Sequence, residues 1–126
     1  MNKIYVTGQW KDADIIDMTK EMLTNFPKYE VKRGYLPQDE INTKADLVVL
    51  HVGTGEFDKG IQDPLELVDK LLKDQKVLVT MTGSTEVAPL RPKFKKKTNT
   101  ISAPFDVVSL VNAVEDTLNG EKTAVL

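Results

Sequence analysis

The sequence predicts an α/β fold in which five parallel strands form one sheet with helices on both faces. Five short apolar segments alternate along the chain with stretches whose apolar residues recur at helical spacing. Alternation of this kind is typical of parallel sheets with right-handed crossovers. The 126 residues, 40% of them hydrophobic, are also close to the commonest size of a single domain. We therefore expect one domain over residues 1–120 and a mobile tail at residues 121–126.

The first half of the chain contains two of these strands and a helix. Residues 3–7 are predicted to form a buried strand, and a short loop follows it. Asp12 or Asp14 can then cap a helix that ends at Pro27, since aspartate is a favoured N-cap and proline stops a helix. Residues 29–33 are predicted to form a short second strand.

The middle of the chain contains the strongest strand. Residues 38–44 include one apolar side chain, so we expect at most a single helical turn there in place of a full second helix. Residues 46–52 have an unbroken apolar core, which suits a central parallel strand covered on both faces. Asp63 and Pro64 then predict the start of a helix, with aspartate as N-cap and proline as first helical residue.

The last third supplies strands at residues 76–82 and 99–103, followed by a helix that Asp106 caps. Between these strands Pro89 and Pro92 fall where a helix interior would lie, so we expect an irregular fourth helix. Five strands in this alternation favour the flavodoxin-like order 2-1-3-4-5 in a doubly wound sheet. In such a sheet, functional residues lie at the carboxyl ends of the strands.

The strand ends resemble those of a response-regulator receiver domain. Residues 77–83 read VLVTMTG, and receivers end their fourth strand in threonine or serine. Residues 101–106 read ISAPFD, where receivers have Lys-Pro-Phe before their last helix. Residues 46–51 resemble the third strand of the family, which ends in the phosphoacceptor aspartate. The resemblance covers residues 3–118 and implies the receiver fold.

The resemblance also implies that the reactive residues are missing. A receiver needs an acidic pair that holds Mg²⁺, an acceptor aspartate and a lysine that neutralises the phosphoryl group. By position, the acidic pair becomes Thr7 and Gly8, the acceptor becomes His51 and the lysine becomes Ala103, while Thr82 keeps the family's hydroxyl. We therefore expect a pseudo-receiver with no catalytic residues, no metal and no cofactor. A hydrogen-bonded structural role for the histidine is favoured over a chemical or pH-sensing one.

Positive charge is concentrated near the fourth helix. The net charge is −2, yet residues 91–97 carry five positive charges. In receivers this neighbourhood contacts partners, so the resemblance implies a partner-binding surface, with a solvated loop as the plainer alternative. The residues that we expect in this surface are Arg91, Lys93, Lys95, Lys96, Lys97 and Phe105. We expect another protein as partner, leave a homodimer open, and expect no specific nucleic acid.

A second group of residues borders the carboxyl ends of the strands and could form a ligand-binding or docking rim. These residues are Trp10, Thr54, Glu56 and Phe57. The alternative function is a flavodoxin-like protein or enzyme that binds FMN or a nucleotide, because residues 54–56 and 76–83 also resemble flavodoxins. Asp12 and Asp14 disfavour it, since their charges would repel a phosphate beside the first strand. A nucleoside-processing site ranks last.

The composition excludes further classes of function. The chain has no cysteine, so disulfides, thiolate catalysis and thiolate metal sites are ruled out. Its longest apolar run, residues 47–50, is too short to cross a bilayer, and the first residues show no signal-peptide pattern. We therefore expect a cytoplasmic protein that contacts no membrane.

Overall fold

The computed structural model describes residues 1–41, 44–55 and 63–123. The strands are β1 (Asn2–Gln9), β2 (Tyr29–Leu36), β3 (Leu47–Val52), β4 (Lys76–Thr82) and β5 (Asn99–Ala103). The α-helices of the described ranges are α1 (Ala13–Thr24), α2 (Pro64–Leu71), α3 (Arg91–Lys97) and α4 (Val107–Leu118). All strand pairs are parallel and the order is β2-β1-β3-β4-β5, which confirms the predicted sheet.

The sheet separates two hydrophobic cores, because side chains along a strand alternate between its faces. On one face, Tyr5 and Val48 belong to a core to which α2 and α3 contribute. On the other face, Ile4 and Val49 belong to a core to which α1 and α4 contribute. Every residue of β3 is buried, which explains the unbroken apolar run in this central strand.

The connection from β2 to β3 contains no helix within its described residues, 37–41 and 44–46, so the predicted reduction of the second helix is confirmed. The sheet surface beside it is charged. Side chains of Lys3, Glu30 and Lys32 help to line a shallow cavity of about 110 Å³ there. A charged surface is stable in contact with water, so it needs no amphipathic helix to cover it.

β1 and β2 are longer than the sequence indicates. The predicted strands end at residues 7 and 33, whereas the observed pairing continues through Gly8 beside Tyr35 and Gln9 beside Leu36. Gln9 is 0% exposed, so the predicted loop after β1 begins only at the 3₁₀ turn Trp10–Asp12. Pairing with a neighbour supplies backbone hydrogen bonds to residues that lack an apolar pattern.

The basic run lies on a helix rather than in a loop, which corrects the plainer alternative given above. A 3₁₀ turn, Ala88–Leu90, leads directly into α3, so this element is short and irregular as predicted. Pro89 and Pro92 each fall in a first turn, where a missing N–H leaves no hydrogen bond unmade.

Aspartates begin α2 and α4 as expected. The carboxylate of Asp63 accepts hydrogen bonds from the amides of Leu65 and Glu66, and that of Asp106 accepts one from Ser109. These caps satisfy amides that have no partner inside the helix.

The described part of the tail contacts the domain. The side-chain amide of Asn99 donates to Thr117 Oγ1 and to the carbonyl of Glu121, at 3.0 and 2.8 Å. Its oxygen accepts from the amide of Thr123 at 3.0 Å. The mobility predicted for residues 121–126 remains a prediction, and residues 124–126 lie outside the described ranges. No helix in the described ranges is long and apolar enough to span a membrane.

Candidate functional site

The parallel sheet brings the predicted site positions to one edge. Gly8, His51, Thr82 and Ala103 lie at or near the carboxyl ends of β1, β3, β4 and β5, respectively. Thr82 pairs directly with Ala103. A Cβ built on Gly8 would lie 3.2 Å from the Cβ of His51, so these two positions are immediate neighbours. The edge is therefore a single candidate site that we describe position by position.

His51 is a buried and uncharged residue. The residue is 3% exposed, and its Nδ1 atom lies 2.9 Å from Thr80 Oγ1. Burial lowers the pKa of the imidazole from 6.5 to about 4, because desolvation disfavours the charged form. At neutral pH the ring is thus neutral and hydrogen-bonded to a threonine. The structural role of this histidine stays a prediction.

Gly8 has no room for a side chain. A Cβ at this position would lie 2.9 Å from Ile16 Cδ1 and 3.0 Å from the carbonyl oxygen of His51. Ile16 is 0% exposed, so it could make room for a larger side chain at this position only by shifting within the packed core. The second position of the acidic pair is therefore filled by the core rather than left open.

Thr7 belongs to the opposite face of the sheet from Gly8, because adjacent residues of a strand alternate. It is 0% exposed, and its hydroxyl has no hydrogen-bond partner among the described residues. Ala103 is 7% exposed and brings no charge to the edge.

Asp12 is a carboxylate at this edge. It occupies the N-cap position of α1, as one of the two predicted capping residues, but its side chain makes no capping hydrogen bond. Its carboxylate instead lies against Gly53, where a Cβ would overlap it. Burial raises the pKa of Asp12, while Lys11 acts in the opposite direction. Glycine permits this close approach because it has no Cβ.

The edge as described does not form a metal-binding cluster. Over residues 1–41, 44–55 and 63–123, no three histidine, aspartate or glutamate side chains come close enough together to hold a metal ion. The carboxylate of Asp12, from the turn after β1, lies against Gly53, which follows β3. Mg²⁺ in a receiver-like site would need several oxygen ligands, and one carboxylate from this position supplies only part of that set.

Trp10 projects from the rim into solvent, with 59% of its surface exposed. Its ring meets the ring of Tyr35 edge-on, with centroids 5.4 Å apart. The guanidinium of Arg33 lies 4.3 Å from the centroid of Tyr35, and Asp17 accepts a hydrogen bond from the tyrosine hydroxyl. This array orients the tryptophan, and sequence patterns did not predict it because its members come from three separate elements.

The other predicted rim residues do not extend this array in the described ranges. Thr54 is exposed in the loop after β3. Glu56 and Phe57 lie outside the described residues, so their place in the rim stays a prediction.

The predicted partner-binding residues divide into exposed and packed positions. Lys93, Lys95 and Lys96 are exposed on α3, whereas Lys97 forms an ion pair with Asp69 of α2. Arg91 of α3 and Phe105 are partly buried, and Phe105 packs against the core that α1 and α4 line. All four lysines are exposed, so any contact through this surface would depend chiefly on the three that form no ion pair with a described residue.

Comparisons with known proteins agree with this architecture. No protein-family model matches the sequence, and no curated protein is significantly similar to it. Solved structures do match. The response regulator ChrA of a heme-sensing two-component system superposes with a TM-score of 0.75 at 21% identity. The alignment covers 99% of this chain and 61% of ChrA, so this chain spans less than two thirds of that protein.

Two further matches cover nearly the whole of both chains. A CheY-like receiver domain protein from Methanospirillum hungatei gives a TM-score of 0.64 at 16% identity, over 95% of each chain. A protein described as pilus assembly-related, from Burkholderia pseudomallei, gives 0.66 at 16% identity, over 96% of this chain and 92% of that one. The flavodoxin-like ligand-binding alternative is not favoured by these matches. The chain has the five-stranded, flavodoxin-like fold of CheY-type receiver domains.

Proposed function

We propose that this chain is a receiver-like domain that has no aspartyl-phosphate chemistry and acts by contacting another protein. The observation that carries the proposal is the packing of His51 and Gly8. The residue at the acceptor position is buried and neutral, and Ile16 and the carbonyl of His51 crowd the adjacent position where a metal-binding acid would stand. Phosphoryl transfer depends on positioning and on neutralisation of charge, and these residues supply neither.

Each of the other positions supports the same proposal. Ala103 offers no cation to the transferring group, and Thr7 turns toward the opposite face from Gly8. Thr82 keeps a hydroxyl, but a hydroxyl alone can only orient a group that the site already holds. Asp12 supplies one carboxylate beside Gly53, which falls short of the ligand set of Mg²⁺.

A receiver-like fold that cannot be phosphorylated can still present a surface that binds another protein. Receiver-like structures occur in signalling proteins such as the response regulators that match this chain. The partner of this chain is unidentified, and neither its identity nor a homodimer follows from the fold. We propose another protein as the partner because the exposed side chains of the domain include Trp10 and the α3 lysines.

Incubation with acetyl phosphate and Mg²⁺ tests the chemical half of the proposal. Intact-mass measurement should show no phosphoryl adduct on this protein, under conditions in which a receiver with an intact acidic pair becomes phosphorylated. An acid-labile adduct on His51, or on any other residue of the sheet edge, would refute the proposal.

A single substitution makes the test sharper. His51→Asp returns a carboxylate to the acceptor position and leaves Gly8 and Ile16 unchanged. If the variant folds, as judged by circular dichroism, it should stay unmodified because the metal-binding acids are still missing. Phosphorylation of His51→Asp would show that the edge is open and that only the acceptor is absent. His51→Asn serves as the uncharged control.

A further inference from the structure

Helix α3 carries positive charge that its described surroundings do not neutralise. The described residues place no carboxylate within ion-pair distance of Lys93, Lys95 or Lys96. Lys97 differs, because it is paired with Asp69. The sequence has no aspartate or glutamate from residue 87 to residue 105. The three unpaired lysines, together with Arg91, are called the cationic face below.

The cationic face is held in a fixed orientation. Phe94 is 0% exposed and anchors α3 in the core that α2 also lines. Successive helical residues are rotated by about 100°, so Lys95 and Lys97 lie on opposite flanks of the helix. Lys97 pairs with Asp69 of α2, so its flank of the helix faces α2. Lys95, on the other flank, faces the edge of the sheet formed by β5. Lys96 lies on the surface opposite Phe94, and Lys93 lies between Lys96 and Lys97 around the helix axis.

We infer that the cationic face docks an acidic segment of a partner protein. The inference rests on the proposed function and adds the chemistry of the partner. Charge complementarity is the reason, because an acidic segment supplies the carboxylates that this helix lacks.

A protein partner fits this face better than nucleic acid does. The aromatic residue of α3, Phe94, is buried, so the helix has no stacking platform for bases. Seven helical residues span only about 10 Å, and a nucleic acid extends far beyond that length. The rest of the chain is net negative and would repel the phosphates outside the helix.

A second copy of this chain fits less well in a symmetric arrangement. A two-fold interface centred on α3 would bring the same surface of both subunits together. Lys93, Lys95 and Lys96 of the two copies would then repel each other, since α3 contains no acidic residue.

Binding of a fluorescein-labelled oligoglutamate peptide, followed by fluorescence anisotropy at low ionic strength, tests this inference. The probe should bind the wild-type chain and shift backbone NMR signals of residues 91–102. A triple substitution to glutamate at Lys93, Lys95 and Lys96 should weaken binding by about 10-fold or more, because three favourable charge pairs become repulsive.

The chain offers a matched control near the opposite edge of the sheet, at β1 and β2. Lys3, Lys32 and Lys44 line the shallow cavity near β1 and β2 together with Glu30. Changing these three lysines to glutamate alters the net charge by the same amount as the α3 triple substitution. This control should change the affinity for the peptide by less than about 3-fold, since it affects only the long-range field.

Three outcomes would overturn the inference. They are an absence of binding to the wild-type chain, an equal loss in both triple variants, and tighter binding of a charge-matched oligodeoxythymidylate than of the peptide. A dimer that forms without peptide and requires the α3 lysines would overturn it as well. None of these outcomes bears on phosphorylation, so they are distinct from failure of the proposed function, which the acetyl phosphate assay detects.

Discussion

Acidification should destabilise this protein through its single histidine. His51 is the one histidine of the sequence, and its pKa falls from 6.5 to about 4 on burial. The unfolded chain therefore takes up a proton between these two values, whereas the folded protein does not. Since the unfolded state binds more protons, the free energy of unfolding decreases as the pH falls through this window.

The size of the effect follows from the two pKa values. Their full separation corresponds to about 3 kcal/mol of unfolding free energy. Between about pH 7 and about pH 5 the linkage relation gives a loss of about 2 kcal/mol. This contribution is fully present above the unfolded pKa and is lost progressively as the pH approaches the folded value.

Urea unfolding of the wild type and of His51→Asn at several pH values provides the assay. The variant has no imidazole, so its stability should lose about 2 kcal/mol less over the same interval. Carboxylates such as Glu115, whose pKa is lowered by hydrogen bonds from Lys28 and Tyr29, also lose stabilisation in acid. Their contribution is common to both proteins and cancels in the comparison.

Two results would refute this reasoning. One is an equal loss of stability in the wild type and in His51→Asn. The other is an imidazole that titrates near its unperturbed pKa in NMR spectra of the folded protein, because exclusion of the ring from water disfavours its charged form.

Three further substitutions test the packing and capping contacts. Gly8→Ala should lower the free energy of unfolding by about 1–3 kcal/mol, because its Cβ would lie 2.9 Å from Ile16 Cδ1. An unchanged urea midpoint would contradict that contact. Asn99→Ala removes three hydrogen bonds, so it should cost about 1–3 kcal/mol and speed hydrogen exchange at the amide of Thr123. Unaltered exchange would show that the tail is held by other contacts. Asp63→Ala should cost about 1 kcal/mol by removing the cap of α2, and Asp63→Asn should retain most of the stability. Equal losses in both would rule out the cap as the cause.

Apolar runs, turn residues and capping residues predicted the elements that depend on residues close together in the sequence. The bounds of β4 and β5 agree with the predicted strands at residues 76–82 and 99–103, because apolar runs and turn residues mark both ends. Asp63 and Asp106 cap their helices because the capping residue acts only on amides two or three positions ahead. The strand order followed from the alternation of strands and helices.

Contacts between distant residues account for what the sequence did not predict. β1 continues through Gly8 and Gln9 because β2 pairs with them, and neither residue belongs to an apolar run. The helical spacing of Ile15, Met18 and Met22 predicts that Ile15 faces the core, yet Ile16 is the isoleucine that is fully buried. That one-residue difference in helix phase decides what fills the space beside Gly8, and it depends on how α1 packs against the sheet.

The side chain of Asp12 shows the same limitation at the candidate site. Its position before a helix predicted a cap, which is the usual role of aspartate there. The folded chain instead brings Gly53 close enough for the carboxylate to lie against it. Neither residue signals the other in the sequence, because the contact joins the loops that follow two different strands. The strand pattern predicts that Gly8 and His51 lie near this edge, but it does not predict the contact of Asp12 with Gly53.

A titration with Mg²⁺, followed by backbone and imidazole NMR, tests the central claim most directly. Asp12 is the carboxylate that reaches Gly53, so the titration asks whether it replaces the missing acidic pair. If the edge is closed, signals of Gly8, His51 and Gly53 should not move at millimolar Mg²⁺. Saturable shifts at these residues that disappear in Asp12→Asn would contradict the account, because they would reveal a working metal site at the edge.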